Sequence, residues 1–332
     1  MMNERFISLI FGLDAYFKDS SNKEKIELFT ERAKNENAWF SDILIRNAME
    51  AIDKQFLDAD VWEAFFEKYG SPSHTVQRIG LILSGNLPAV GLHDLLMSLA
   101  AGHQVVVKLS SQDKALMQLY IEAIRSIDSS FLIDVVERLP AVDAVIATGS
   151  DFSSSYFSNY FAKIPHIIRK NRSSIAILSG GETKADFEGL AGDIFTYYGL
   201  GCRNVSTIAV PITFDLIPLF DELSQVEWVL DHTKYSNNYQ YHKTLLLLNQ
   251  VPHFDLGNLI VTENEALVSP VGVLHVHRYS SADELQAWIN KQEEKIQCVV
   301  GSNAIPFGQA QMPALDDFAD GVNTYEFLVN LS

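Results

Sequence analysis

The chain has 332 residues, 47% of them hydrophobic and 20% charged, which is enough to bury a sizeable core in two domains or one large α/β unit. Its 42 acidic residues against 25 basic ones leave a formal net charge of −17, which repels phosphate backbones and anionic membrane surfaces and excludes a nucleic-acid partner. No run reaches the roughly 18 apolar residues of a membrane span, no leader is read in residues 1–13, and Cys202 and Cys298 suggest no disulfide framework. A cytoplasmic protein without membrane insertion is expected.

In chain order, residues 3–69 read as helices, with apolar positions at helical spacing in 25–32, 39–52 and 60–68 and a stop at Gly70 and Pro72. The pattern then changes. Residues 78–83 form an apolar run fit for a buried strand, 84–88 a tight loop, and 91–101 a helix. Strand 104–108, helix 114–127, strands 131–136 and 142–148 and helix 152–161 follow. Strand, loop and helix in alternation describe a parallel doubly wound sheet, whose ligands sit at the carboxyl ends of the strands. Asn86, Lys108 and Gly149-Ser150 fall at those ends.

From about residue 173 a second unit reads as strand 174–178, helix 184–198, strand 206–210, helix 214–223, strands 259–262 and 272–278, helix 281–292 and strand 297–301. Residues 241–250 carry both helix and strand signals. The expected division is a first domain over 1–172, with part of 302–332 returning to it, and a second over 173–301. His275 and His277 share one strand face without an acidic or thiol partner at ligand spacing, so no metal is expected. His93 and Asp94 read as polarity on a helix surface.

Cys202 stands where a helix gives way to a strand, with glycines at 199 and 201 that permit close approach to the main chain. Arg203 beside it offers a positive charge that favours a thiolate. On this stretch alone a small buried hydrophobe is the commoner role of a cysteine. Asn86 alone reads as a turn residue.

Six short motifs change the weighting: Gly85-Asn86-Leu87-Pro88, Val107-Lys108-Leu109-Ser110-Ser111, Thr148-Gly149-Ser150, Leu178-Ser179-Gly180-Gly181, Gly201-Cys202 and Pro306-Phe307-Gly308-Gln309. In this order they resemble the aldehyde dehydrogenase superfamily, and most closely its acyl-CoA reductase branch, which includes the reductase of the luminescent bacteria's fatty-acid reductase complex. The resemblance implies two doubly wound α/β domains behind a helical N-terminal segment: the first binds a nicotinamide cofactor and the second carries Cys202.

It also implies roles. Cys202 becomes the nucleophile that takes an acyl group from a thioester, with CoA as leaving group. Asn86 donates to the oxyanion. Lys108, Ser110, Ser111, Gly149 and Ser150 hold the cofactor. Ser111 replaces a glutamate that grips the ribose in many NAD-using relatives, so NADPH is expected, with NADH left open. Ser179 is read as replacing the glutamate that activates water in the hydrolytic enzymes, and Glu182 as a surface or capping residue. Counting back from Pro270 places Ala266, not Glu265, at the ribose-binding glutamate. The implied activity is NAD(P)H-dependent reduction of an acyl-CoA or other acyl thioester to the aldehyde, by a homo-oligomer. The alternatives are an acyltransfer subunit loaded by a partner protein and a non-catalytic binding protein of the same fold.

Overall fold

The computed structural model describes residues 2–72, 75–149, 151–301 and 303–331. They divide into two compact units, one running to Asn171 and resuming at Pro313, the other covering Arg172–Met312.

The first unit opens with helices α1 (Met2–Lys18), α2 (Lys23–Glu36), α3 (Asp42–Phe56) and α4 (Ala59–Tyr69). Ser41 caps α3 by accepting from Leu44 N, and Asp58 caps α4 by accepting from Asp60 N. The side chain thereby replaces a hydrogen bond that a helix start cannot make internally. Gly70, at φ 79°, ends α4. Trp39, expected within a helix, lies before α3 instead, its N–H held by Asn37 Oδ1. The apolar faces of α1 and α4 meet through Phe6 and Trp62, both fully buried, with ring centroids 4.6 Å apart.

Behind these helices is an all-parallel sheet of β1 (Arg78–Ile82), β2 (Gln104–Lys108), β3 (Ile133–Val135), β4 (Ala144–Thr148) and β5 (His166–Arg169), in the order β3-β2-β1-β4-β5. Helices α5 (Leu92–Ala100), α6 (Lys114–Ile127) and α7 (Asp151–Tyr160) connect the strands. Continuous apolar runs such as Val105-Val106-Val107 are buried on both faces, as a sheet between helical layers requires. The strand order reverses beside β1, and the carboxyl ends of β1, β2 and β4 deliver Asn86, Lys108 and Gly149.

Strand β5 was not expected from the sequence, and with it comes a correction. His93 and Asp94 are not helix-surface residues. Arg169 Nη2, at the end of β5, donates to Asp94 Oδ1 at 2.8 Å and to Thr324 Oγ1 at 2.9 Å, all three side chains being buried. His93 Nε2 lies 3.0 Å from Leu315 O. These bonds pin the returning segment to the sheet.

The second unit is a sheet in the order β11-β6-β7-β10-β9-β8. Its elements are β6 (Ser173–Ile177), α8 (Lys184–Phe195), β7 (Val205–Pro211), α9 (Ile217–Leu223), α10 (Thr233–Leu248), β8 (Phe254–Asp255), β9 (Ile260–Glu263), β10 (Val273–Tyr279), α11 (Ala282–Gln292) and β11 (Ile296–Val300). All pairings are parallel except β8 with β9. The ambiguous stretch around 241–250 belongs mostly to α10, and this unit runs on to Met312, beyond the Gly301 expected from sequence. A last helix, α12 (Thr324–Val329), lies in the returning segment.

Burial, the largest influence on Asp94, pushes its carboxyl up, but the charge of Arg169 and the contact with His93 outweigh it and hold the carboxyl below its usual value. The resulting stabilisation is present above the ordinary carboxylate range and lost as pH falls through that lowered value. Arg169→Met, which leaves Asp94 buried without its cation, is expected to cost about 3–5 kcal/mol in urea unfolding at neutral pH. In Asp94→Asn/Arg169→Met the loss is expected to shrink, because no buried charge is stranded.

Candidate active site

Helix α8 is started by a reciprocal cap in which Thr183 accepts from Asp186 N while Asp186 accepts from Thr183 N. It ends at Phe195 and gives way to a tight turn in which Tyr197 (φ 57°), Tyr198 (φ 55°) and Gly199 (φ 75°) are all left-handed. Only glycine takes that conformation freely, so the two tyrosines are strained. Both are buried, and Tyr198 packs on His232 with ring centroids 4.4 Å apart. Packing holds what backbone preference opposes.

Cys202 follows at the second position of a four-residue turn closed by Asn204 N donating to Gly201 O at 3.0 Å. The thiol-bearing residue is exposed while Gly201 and Asn204 on either side are buried. Asn204 organises the whole junction. Its Oδ1 accepts from Gly201 N at 2.9 Å, and its Nδ2 donates to Asp193 O at 3.0 Å, Ile194 O at 3.3 Å and Thr196 O at 2.6 Å. These carbonyls lie at the end of α8, where main-chain acceptors run out of partners. From below, Ser174 Oγ donates to Cys202 O at 2.9 Å and lies 3.0 Å from Cys298 Sγ.

The Pro306–Gln309 motif packs on the same helix. A Cβ at Gly189 would stand 2.8 Å from the Phe307 carbonyl carbon, so only glycine lets this loop approach α8. The buried Asp193 carboxylate then accepts from Gly308 N at 2.7 Å and Ala310 N at 2.9 Å. Burial raises the Asp193 carboxyl above its usual value, with these two amides and Arg203 pulling against the rise. Arg203, expected to act on the thiol, donates through Nε to Ala310 O. Sequence reading missed Asn204, Asp193 and Ser174, whose partners are main-chain atoms that no motif displays.

Ser179 requires a correction. Ser174 pairs with Val205 at the amino ends of β6 and β7, the end that carries Cys202, whereas Ser179 follows the carboxyl end of β6. Five strand residues, roughly 16 Å, intervene. Ser179 therefore does not stand beside Cys202 in place of a water-activating base. It belongs to a turn closed by Glu182, whose carboxylate accepts from Ser179 N and from Gly180 N at 2.9 Å. Glu265 is exposed, its main-chain O accepting from Trp288 Nε1, and Ala266 O faces His275 Nδ1 at 2.8 Å. His277 stacks on Trp288 at 4.3 Å. Among the described residues no group of three metal-ligating side chains occurs.

In the first unit Asn86 is exposed, its Oδ1 accepting from Ser84 Oγ at 2.9 Å. The loop that carries it is gripped from behind. Asn37 Nδ2 donates to Gly85 O, and a Cβ on Gly85 would come within 2.5 Å of Ser110 Oγ. Lys108 and Ser111 are exposed, Ser110 is half-buried, and Gly149 N donates to Arg169 O. Ser150 lies outside the described residues. An ammonium group, two hydroxyls and a glycine at strand ends beside a reversal of strand order suit an anionic, ribose-bearing ligand. The donor set therefore fits a nicotinamide cofactor.

The sequence matches no protein-family model and no curated protein. The fold matches solved structures. One is an aldehyde dehydrogenase of Mycobacterium tuberculosis complexed with NAD+, at 13% identity and a TM-score of 0.64, covering 95% of this chain and 77% of that one. Another is an NAD-dependent aldehyde dehydrogenase of Sinorhizobium meliloti, at 13% identity and a TM-score of 0.66, covering 90% and 70%. A third is an NADP-dependent glyceraldehyde-3-phosphate dehydrogenase of Bacillus halodurans complexed with NADP, at 14% identity and a TM-score of 0.64, covering 90% and 73%. At such identities the likeness is one of architecture: two α/β units behind a helical N-terminal segment form an aldehyde-dehydrogenase-like fold.

Proposed function

We propose that the chain is an NAD(P)H-dependent reductase of acyl thioesters that works through an acyl-enzyme on Cys202. The observation that carries this reading is the presentation of Cys202, an exposed thiol on a turn built by buried hydrogen bonds, within an aldehyde-dehydrogenase-like fold. A cysteine needed only for packing would be turned inward, as Cys298 is. That solved neighbours are complexed with NAD+ and NADP supports the cofactor.

Cys202 attacks the thioester carbonyl; the C–S bond to CoA breaks, and CoA leaves as a thiolate. Asn86 Nδ2 donates to the oxyanion that forms during the attack. When bound, a nicotinamide would supply hydride to the acyl carbon on Cys202, and the resulting thiohemiacetal alkoxide would collapse by expelling the Cys202 thiolate and releasing the aldehyde. Lys108, Ser110, Ser111 and Gly149 hold and orient the cofactor, and Ser111 leaves room for a 2′-phosphate. Asp193, the carboxylate bordering the Cys202 turn, is buried and bonded to two amides, so it does not itself activate an attacking water.

Phe195, Tyr198 and Tyr235 border a cavity of about 20 Å³, room for one water.

Intact-protein mass spectrometry after mixing with acyl-CoAs from acetyl to palmitoyl tests the proposal. A wild-type adduct that is absent in Cys202→Ala and disappears on adding NADPH or NADH is expected. An adduct surviving both cofactors identifies an acyltransfer subunit, and no adduct at any chain length rules out free acyl-CoA as donor. Asn86→Ala is expected to slow adduct formation about 10²–10³-fold. Asn204→Ala is expected to lower urea stability by about 2–3 kcal/mol, because it strands several buried main-chain groups, and to slow acylation as well.

A further inference from the structure

Asp113 begins α6, yet its side chain does not cap that helix. The cap comes from elsewhere: Glu36, at the end of α2, accepts from Ala115 N at 2.8 Å. Asp113 is fully buried, and neither carboxyl oxygen has a hydrogen-bond partner in geometry. A buried polar group in that condition is costly and calls for a physical reason. Its surroundings supply one. Asp113 N would be 3.0 Å from a Cβ on Gly85, and the Ala89 N–H pulls the carboxyl's pKa down without closing a hydrogen bond to either oxygen. Gly85 and Ala89 are the two ends of the turn that carries Asn86, and Ala89 itself is left-handed at φ 52°.

We propose that Asp113 is a positioning residue for Asn86, supporting from beneath the 85–89 turn and so aiming the Asn86 amide. The proposal rests on the reading of Asn86 as oxyanion donor. Burial, the largest influence, lifts the Asp113 carboxyl well above its usual value, and Glu36 on α2 raises it further against the pull of Ala89. Tyr120, two turns along α6, is the other titratable group coupled to it, and Asp53 on α3 faces that tyrosine in turn. Burial thus favours the neutral form of this carboxyl, and ionising it puts an unpaired charge behind the turn. The folded chain holds a proton here that the unfolded chain loses above about pH 3.8, so this group's contribution to stability falls as pH climbs toward its raised value.

The test uses the full chain and p-nitrophenyl acetate, whose acylation of the cysteine releases a burst of p-nitrophenolate without cofactor. Asp113→Ala is expected to slow the burst about tenfold or more through misplacement of Asn86, and to add little in an Asn86→Ala background. Asp113→Asn, neutral and of the same shape, is expected to restore most of the rate. It should also abolish a fall in burst rate with rising pH that wild type shows and Asn86→Ala lacks.

Full additivity of Asp113→Ala with Asn86→Ala overturns the proposal, as does an unchanged burst in folded Asp113→Ala. If no Asp113 variant folds, an alkaline fall that persists in Asn86→Ala overturns it equally. A burst that Asn86→Ala leaves untouched, or one that survives Cys202→Ala, instead overturns the parent reading and takes this proposal with it.

Discussion

An abrupt passage from helix to strand leaves main-chain carbonyls and amides with no regular partner. In the second unit that shortage is met by one side chain. Asn204 satisfies one amide and three carbonyls between Asp193 and Gly201, so the turn bearing Cys202 keeps its shape without secondary structure of its own. Asp193 does the same for the 308–310 loop, and Ser174 anchors the Cys202 carbonyl from the strand below. Remove this set and the thiol is still on the chain but no longer aimed. The left-handed tyrosines before it show how far the surrounding packing overrides local preference, because nothing in their own chemistry favours that backbone.

Much of the architecture was legible in the sequence because parallel strands buried on both faces read as unbroken apolar runs. Arg78–Ile82, Gln104–Lys108 and Ala144–Thr148 all announce themselves in this way. His166–Arg169 does not, being four residues long with a charge at its end. Missing it hid the ion pair of Arg169 with Asp94, 75 positions away, and made a buried acid look like surface polarity. Thr233–Leu248 was ambiguous because its apolar residues, Leu245 to Leu248, bunch at one end instead of recurring along one face. In the site, Cys202, Asn86 and Lys108 drew notice by residue type. Asn204, Asp193, Ser174 and Asp113 did not, because each acts on main-chain neighbours brought near only by folding.

Ser179 shows the opposite hazard. A Gly-Gly pair after an apolar run looked like a catalytic motif, yet strand pairing puts it at the far end of β6 from Cys202. Short motifs carry chemistry only when the sheet delivers them to the right edge. The same caution governs the fold as a whole: architecture shared at 13–14% identity leaves the chemistry to individual side chains.

The first unit is interrupted by the second. Its sheet and opening helices are complete by Asn171, but the groups that close over them arrive only after Pro313: Thr324 for Arg169, Leu315 for His93, and Tyr325, whose hydroxyl bonds Gly70 O. During synthesis the ribosome must therefore finish 141 intervening residues, Arg172–Met312, before the earlier unit can bury its edge. The later-made unit is continuous in sequence, so it is complete before the earlier one, reversing the usual N-to-C order of domain folding. A nascent chain stalled near residue 312 would expose the Asp94–Arg169 pair to water and the Phe65 cluster to whatever chaperone is at hand.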